Sequence, residues 1–328
     1  MFKRRRDLFS TRRDAYSRRP ARPLRPALIV NRWSGDGKAE KTGLAEAAEA
    51  AGVNVIMLEP GDDIVQLAET AVDEGADAIG AAGGDGSLGL VAGVAVRRGV
   101  PFFCIPVGTR NHFALDLGLD RDDPIAALGS ITDGEELLID IGMADERPFL
   151  NNVSFGIYAS AVHRDEYRAN KEETLSQVAA EFRRGEDTGS DLRFSGPRGG
   201  QAEKVAVALV SNGAYIFSGP PDFGRRPSLA SGMLGINAAG KGTRPDGRPV
   251  SSVRTWQSES LRIEADGQIL AGLDGEAVNF DSPLELSVRP KSLRVLVPRG
   301  TSPGYRSVGE AVRASIDGLA ALGGAVGS

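Results

Sequence analysis

The stretch "AAGGDGSLGL" at residues 81–90 places glycines on both sides of a single aspartate, Asp85. The apolar residues before it predict a buried strand, and those after it predict a helix, so the glycines lie at a strand-to-helix turn. Glycine lets a phosphate approach backbone N–H groups closely, and the N-terminus of the next helix adds partial positive charge. A tight turn that needs only small residues is the alternative, but it would not require an aspartate between two glycines.

The same stretch also fits the pattern G-x-G-x-x-G, through Gly84, Gly86 and Gly89. A dinucleotide-binding fold has this pattern in its first strand–helix unit, with an acidic residue about 20 residues further on. Here the pattern lies in the third such unit, and the matching region does not end a strand with an acid. Binding of a nicotinamide cofactor is therefore disfavoured.

Short strands and helices alternate around this loop. Alternation of this kind predicts an α/β domain with a parallel sheet and helices on both faces, and ligands of such sheets bind beyond the carboxyl ends of the strands. The predicted strands are 26–31, 53–59, 77–83 and 100–108, and the predicted helices are 38–51, 62–75 and 87–98.

Two further glycine loops follow strands at the same edge of this predicted sheet. They are "NRWSGDGK" at 31–38, which lacks the spacing of a P-loop, and "PVGTRNHFA" at 106–114. Each loop alone fits an ordinary turn. Three of them at one edge predict a phosphate-binding site.

After about residue 135 the pattern changes to strands joined by turns, which predicts a second, mostly β domain with two sheets face to face. Asp266-Gly267 has the composition of a hairpin turn. We also expect a long polar helix at 158–184 and a helix at 307–322 that packs back on the first domain. The predicted organisation is a basic, disordered tail at 1–24, an α/β domain at 25–135 and a β-rich domain at 136–300.

Charge is distributed unevenly, because residues 1–25 contain ten basic and two acidic residues while the whole chain has a net charge of −5. This segment is either a solvated tail or a segment that binds anionic lipid headgroups. The electrostatic attraction to such a membrane is worth about 1 kcal/mol for each basic residue near the surface. The acidic body disfavours nucleic acid as a partner. The lone Cys104, the absence of a signal peptide and the absence of a run of roughly 20 apolar residues predict a cytoplasmic protein. Binding of the basic segment to anionic lipid would make it peripheral at the inner face of the membrane.

Taken together, these loops resemble the diacylglycerol kinase catalytic-domain family, which includes sphingosine kinases and bacterial soluble lipid kinases. That family carries an N-P-x-S-G-x-G-K-like loop, a G-G-D-G-[ST] loop, a P-x-G-T-x-N-x-F-A loop and a later L-x-G-E-type or D-G-E segment. This chain has "NRWSGDGK", "GGDGS", "PVGTRNHFA" and "GLDGEAV" (272–278) in that order. The resemblance covers about residues 26–298.

The resemblance implies an ATP- and Mg²⁺-dependent lipid kinase that phosphorylates diacylglycerol or a sphingoid or ceramide-type alcohol at a membrane surface. It implies that the domain at 25–135 binds the nucleotide and that the domain at 136–300 binds the lipid substrate. It implies that Asp85 is a Mg²⁺ ligand or a partner of the lipid hydroxyl. Across an interdomain cleft, Glu276 would be the general base and Asp274 would orient it. The oligomeric state, a homodimer included, stays open. The residues implied to bind the nucleotide are Asn31, Ser34, Gly35, Gly37, Lys38, Gly83, Gly84, Gly86, Ser87, Gly108, Thr109 and Asn111.

Three segments depart from the family pattern. Asp140 matches an aspartate that leads to a structural Mg²⁺ in bacterial members, but Ala230-Ser231-Gly232 stands where further acids are expected, so that ion is not carried over. Arg32-Trp33 replaces a proline-led pair. Glu59 stands where relatives often have a threonine that contacts the nucleotide.

Two other functions remain as alternatives. An NAD kinase shares the G-G-D-G loop but has a different segment, T-N-x-G-x-x-G-F, where this chain has "GTRNHFALDLG". A nucleotide-binding regulator without transferase activity would be expected to lack Asp85, Asp274 or Glu276, and this chain has all three.

Overall fold

The computed structural model describes residues 17–18, 22–156, 159, 192–195, 201–202, 205–215, 226–243 and 249–301. The predicted helices at 158–184 (residue 159 apart) and 307–322 lie outside these residues. The chain forms two compact units. The first consists of Met1–Asp140, Tyr215–Ser231 and Pro290–Ser307, and the second of Ile141–Ala214, Gly232–Arg289 and Val308–Ser328.

The two units are interleaved along the sequence. Residues 215–231 and 290–307 return to the first unit after the chain has entered the second. The sequence prediction placed a single boundary at residues 135–136, which cannot reproduce this arrangement. The assignment of nucleotide binding to one domain and lipid binding to the other stays a prediction.

The first unit alternates strands and helices, as the sequence predicts. Its strands are β1 Ser17–Arg18, β2 Pro26–Val30, β3 Asn54–Met57, β4 Ala78–Gly83, β5 Phe102–Pro106 and the first part of β6 Gly134–Ala144. Its helices are α1 Lys38–Lys41, α2 Leu44–Ala50, α3 Ile64–Asp73, α4 Asp85–Arg98, α5 His112–Asp116 and α6 Gly129–Thr132.

The sheet of the first unit is parallel through β3, β2, β4 and β5. Residues Val295 and Leu296 of the long strand Leu284–Pro298 add a further parallel pairing beside β5. Every residue of β2, β4 and β5 is buried, which is the pattern of strands covered on both faces. Cys104 lies in β5, and burial raises the pKa of its thiol well above the ordinary value, in keeping with a small buried hydrophobe.

Helices α1, α2 and α6 share one apolar core with this sheet. That core includes Leu28, Leu44, Phe103 and Ile131. Helix α3 contacts β2 and β4, and helix α4 contacts β4 and β5. Asp63 begins α3 by accepting the backbone N–H groups of Val65 and Gln66, which is a standard N-terminal cap.

The single helix predicted at 38–51 is wrong in one respect, because the structure divides it into α1 and α2. Gly43 between them has a left-handed φ of 63°. The Thr42 hydroxyl donates to the Lys38 carbonyl at 2.8 Å, so it bonds to the preceding turn. The helix is therefore interrupted at Thr42-Gly43, which leaves two short helices.

The C-terminal end of the basic N-terminal segment contacts the rest of the first unit. Strand β1 pairs with β6, opposite Leu137 and Glu136. The backbone N–H groups of Leu24 and Arg25 both donate to the Asp77 carboxylate, at 2.7 and 3.0 Å. The predicted disordered tail of 1–24 therefore includes residues that bond to the folded body.

The second unit is built of strands in its described part. They are the end of β6, β7 Arg147–Phe149, β8 Asn152–Gly156, β9 Arg193–Ser195, β10 Gln201–Ala202, β11 Val205–Asn212, β12 Leu234–Thr243, β13 Pro249–Ser258, β14 Ser260–Glu264, β15 Ile269–Leu273, β16 Glu276–Phe280 and the beginning of β17 Leu284–Pro298.

One sheet of this unit is antiparallel, in the order β13-β12-β11-β8-β15-β16. A second set of strands pairs β17 with β14, β14 with β9 and β9 with β10. Apolar side chains from both sets form one core, in which the Phe155 and Phe194 rings meet edge to face with centroids 6.2 Å apart. The predicted face-to-face β arrangement is confirmed.

The predicted hairpin at Asp266-Gly267 is wrong. Strand β14 before it pairs with β17 and β9, whereas β15 after it pairs with β16 and β8, so the turn joins two different sheets. The hairpin instead turns at Asp274-Gly275, whose positive φ angles of 48° and 92° are those of a two-residue primed turn.

Candidate active site

Asp85 is the first residue of α4, and its carboxylate accepts hydrogen bonds from the glycine loop at 106–114. Its Oδ2 accepts the backbone N–H of His112 at 3.0 Å, and its Oδ1 accepts that of Phe113 at 3.1 Å. These donors belong to the first turn of α5, where backbone N–H groups have no acceptor within the helix. The predicted catalytic aspartate therefore also joins the loops after β4 and β5.

The backbones of these two loops touch. The Gly83 carbonyl accepts the N–H of Gly108 at 3.1 Å and the side-chain amide of Asn111 at 2.7 Å. Asn111 is fully buried and has a left-handed φ of 48°, a conformation that asparagine tolerates. Space beyond the Gly84 Cα is open, since no atom lies within 4 Å of the position of a Cβ there.

The loop after β2 completes this group. The Asn31 side-chain amide donates to the Ser87 hydroxyl at 3.3 Å, and its oxygen accepts the N–H of Trp33 at 3.2 Å. Gly35 lies so close to β5 that a Cβ atom would come within 2.0 Å of the Val107 carbonyl oxygen. Residues 35–37 all have left-handed backbone angles, with φ of 59°, 55° and 74°. Predicted site residues from all three loops thus meet at the carboxyl edge of one sheet, among them Asn31, Gly83, Asp85, Ser87, Gly108 and Asn111.

Two predicted nucleotide-binding residues stand apart from these contacts. The Lys38 ammonium donates to the Arg121 carbonyl and lies 3.9 Å from the Asp122 carboxylate. Thr109 is exposed. Their contact with a nucleotide stays a prediction.

The departures at Arg32 and Glu59 are linked to each other. The Arg32 guanidinium donates to both oxygens of Glu59, at 3.0 and 2.8 Å, and lies 5.4 Å from the centre of the Trp33 ring. The Trp33 side chain is 51% exposed beside the loop at 31–37. The two unusual residues therefore complement one another in charge.

The sequence did not predict a buried ion pair at the end of α5, between Asp116 and Arg226. Arg226 Nε donates to Asp116 Oδ2 at 2.7 Å, and its Nη2 contacts the same oxygen. Arg226 is 0% exposed and Asp116 1%. Burial raises the pKa of the Asp116 carboxyl, and the adjacent guanidinium opposes that shift by stabilising the anion. No local pattern marks a pair 110 residues apart in sequence.

Asp140 forms hydrogen bonds with two other backbone segments of the first unit, at Leu229 and Lys291. Its N–H donates to the Leu229 carbonyl at 2.7 Å, and its Oδ1 accepts the N–H of Lys291 at 2.8 Å. Ala230 and Ser231, which follow Leu229, carry no carboxylate. These residues do not fit a structural Mg²⁺ site.

In the second unit, the Asp274 carboxylate holds the chain between β7 and β8. Its Oδ2 accepts the N–H of Leu150 at 2.8 Å, and its Oδ1 accepts those of Asn151 and Asn152 at 2.8 and 3.0 Å. Three donors stabilise the anion, which suits a residue that organises the loop. Glu276 begins β16 directly after the turn, and its side chain is exposed. The segment "LDGE" is thus part of a hairpin turn, and its Glu276 side chain is exposed.

A magnesium ion fits Asp85 as a single protein carboxylate. Each of its oxygens accepts one N–H, and a carboxylate offers about four acceptor positions in all. Mg²⁺ is commonly held by one or two carboxylates together with substrate phosphates. Across the part of the chain that the structure describes, no three His, Cys, Asp or Glu side chains are grouped to hold a metal ion by themselves.

Comparison with known proteins agrees with this architecture. A family model for the diacylglycerol kinase catalytic domain matches residues 25–144. Over 264 residues the chain is 31% identical to a protein of Pseudomonas aeruginosa named "Probable lipid kinase YegS-like", covering 73% of this chain and 82% of that one. It is 35% identical to a diacylglycerol kinase of Mycobacterium tuberculosis over 118 residues, which are 35% of this chain and 38% of the relative.

The fold is shared with the crystal structure of a diacylglycerol kinase from Bacillus anthracis, with a TM-score of 0.59, 16% identity, and coverage of 86% of this chain and 100% of that one. The chain belongs to the diacylglycerol kinase catalytic-domain family, which confirms the resemblance carried by the glycine loops. It spans well under two thirds of the length of the Mycobacterium relative, at 38%.

Proposed function

We propose that this protein transfers the γ-phosphoryl group of ATP to the hydroxyl group of a lipid alcohol, such as diacylglycerol or a sphingoid or ceramide-type alcohol. The observation that supports this most strongly is the meeting of three glycine loops around Asp85. Relatives of this chain are named diacylglycerol kinase and lipid kinase. Phosphoryl transfer relies on positioning and charge stabilisation, which loops of this kind supply.

The nucleotide phosphates bind in front of Gly84, at the N-terminus of the 14-residue helix α4. The open space at Gly84 suits a close approach of phosphate to backbone N–H groups, and the first turn of the helix contributes partial positive charge. Asn31 and Ser87 flank this position through their mutual hydrogen bond. Asp85 would hold a Mg²⁺ ion, which would supply positive charge to offset that of the phosphate oxygens.

Glu276 serves as the general base. It takes the proton of the lipid hydroxyl while that oxygen bonds to the γ-phosphorus and the bond to the ADP oxygen breaks. An exposed carboxylate beside a rigid turn suits this role, and Asp274 keeps the turn in place through its three backbone donors. Asp85 belongs to the first unit and Glu276 to the second.

The lipid is met at the surface of a bilayer. No helix in the described ranges is both long enough and apolar enough to span a membrane. The basic segment within residues 1–25 provides attraction to anionic headgroups. A peripheral, reversible association of this kind brings the site to its substrate.

The test is transfer of labelled γ-phosphate from ATP and Mg²⁺ to a panel of lipid alcohols in mixed micelles, with NAD⁺ as a control acceptor. Label in a lipid supports the proposal and names the substrate. Label in NADP⁺ favours the NAD kinase alternative, and ATP binding without transfer favours a regulator. Asp85→Asn is the matched inactive variant, and normal turnover in that variant would remove Asp85 from the mechanism.

A further inference from the structure

We propose that the buried pair Asp116–Arg226 is a positioning element that sets the location of the Asp85 carboxylate. The link runs through α5. The N–H groups of His112 and Phe113 at its first turn hold Asp85, and its last residue, Asp116, is held by Arg226. The catalytic part of this inference rests on the proposed function of Asp85, whereas the chain of contacts does not.

Helix α5 has only five residues, so it depends on contacts outside itself. Isolated helices shorter than about 12 residues are marginal in water. One turn of helix places Asp116 only about 6 Å along the axis from His112, so a shift at one end is passed to the other. The Phe113 ring, 6.4 Å from that of Phe102 in β5, holds the helix against the sheet between its ends.

Arg226 is itself well anchored. Its guanidinium lies 5.7 Å from the centre of the Tyr215 ring, and its segment is tied to β6 by the bond from the Asp140 N–H to the Leu229 carbonyl. A buried charged pair carries a large desolvation cost, and apolar residues of similar size often serve stability as well or better. A geometric role accounts for an arginine and an aspartate here better than stability does.

The experiment replaces both charges at once, as Asp116→Leu with Arg226→Met. Removing the pair together avoids leaving one charge buried without its partner. We expect a folded protein in which the amide N–H groups of His112 and Phe113 exchange with solvent about tenfold faster, while those of β4 and β5 keep their protection. We expect kcat to fall about tenfold with ATP affinity changed less than about threefold, because misplacement of a catalytic group affects transfer more than binding.

Arg97→Met is the matched control, because Arg97 makes an exposed ion pair with Glu69 elsewhere in the first unit. It should leave both exchange and kcat unchanged. Wild-type exchange and kcat in the folded double variant would overturn the proposal. If the double variant does not fold, Arg226→Lys is used instead. It keeps the positive charge but loses the planar guanidinium group, so we expect faster amide exchange at His112 and Phe113 and a lower kcat. If the wild type transfers no phosphate, exchange at residues 112 and 113 still tests the contact chain, so the two failures are distinguishable.

Discussion

Gly108 and Gly84 lie in direct backbone contact, and a Cβ atom on Gly108 would come 2.6 Å from the Gly84 Cα and 3.0 Å from its nitrogen. Both atoms are main chain, so neither can move aside as a side chain does. This contact is where the loop after β5 meets the loop after β4. A glycine at 108 is thus a condition for the two loops to meet.

Gly108→Ala should separate these loops. We expect the free energy of unfolding to fall by about 1–3 kcal/mol, the usual effect of overpacking, and ATP binding to weaken. Thermal unfolding and calorimetric titration with ATP measure the two effects. Gly84→Ala is the control, since its φ is −80° and its Cβ would meet no atom within 4 Å. That variant should keep wild-type stability to within about 0.5 kcal/mol and still bind ATP less well. A wild-type Tm for Gly108→Ala would contradict the close contact.

Asp274→Asn should destabilise the protein, because an amide cannot accept all three N–H groups that the carboxylate accepts. Hydrogen bonds to charged groups contribute about 1.5–3 kcal/mol, so we expect a loss of about 2 kcal/mol in urea unfolding. The exposed Glu276→Gln is the matched carboxylate variant. It should leave stability unchanged and lower turnover more than ATP affinity. The opposite result, a stable Asp274→Asn and an unstable Glu276→Gln, would exchange the roles given to these two residues.

Stability should depend on pH through Glu69. The hydrogen bond from Arg98 lowers the pKa of the Glu69 carboxyl; burial works against that shift, and Arg97 adds to it. Because the pKa in the folded state is below the unfolded value of about 4.3, this stabilisation is present above that pH and is lost as pH falls through the folded pKa. The wild type should therefore exceed Glu69→Gln in Tm at about pH 7, and the difference should be smaller at about pH 3. A difference in Tm that is the same at both pH values would rule out the ion pair as its origin.

Deletion of residues 1–16 should weaken binding to anionic vesicles and reduce its dependence on salt. The segment contributes six basic residues, Lys3, Arg4, Arg5, Arg6, Arg12 and Arg13. Residues 22–25 are kept, because Leu24 and Arg25 bond to Asp77. Vesicle sedimentation at low and high ionic strength is the measurement, and vesicles of neutral lipid are the control. Unchanged binding to anionic vesicles would show that the segment is not needed at a membrane.

Local signals made the first unit predictable. Continuous apolar runs marked β2, β4 and β5 as strands buried on both faces, and glycine at strand ends marked the loops. Parallel strands bring their carboxyl ends to one edge, so the meeting of Asn31, Asp85 and Asn111 near one another followed from the topology.

Long-range pairs and the exact use of turns were not predictable in this way. Asp274 is 122 residues from Asn152, and nothing in the local sequence says which N–H groups its carboxylate accepts. Asp266-Gly267 and Asp274-Gly275 have the same composition, yet only the second closes a hairpin, because the tertiary pairing of the flanking strands decides. Gly43 interrupted a helix whose apolar and charged residues otherwise favoured continuation.

The interleaving of the two units has a consequence for how the protein is made. Strand β5 pairs with β4 on one side, but it gains its second parallel neighbour only when Val295 and Leu296 have been synthesised, almost 200 residues after Phe102. Arg226 likewise reaches Asp116 only after strands β7 to β11 of the second unit have been synthesised. A nascent chain that stops before residue 226 therefore carries an open sheet edge and an unneutralised carboxylate. We expect such fragments to engage chaperones, and Asp85 to become correctly held only late in translation.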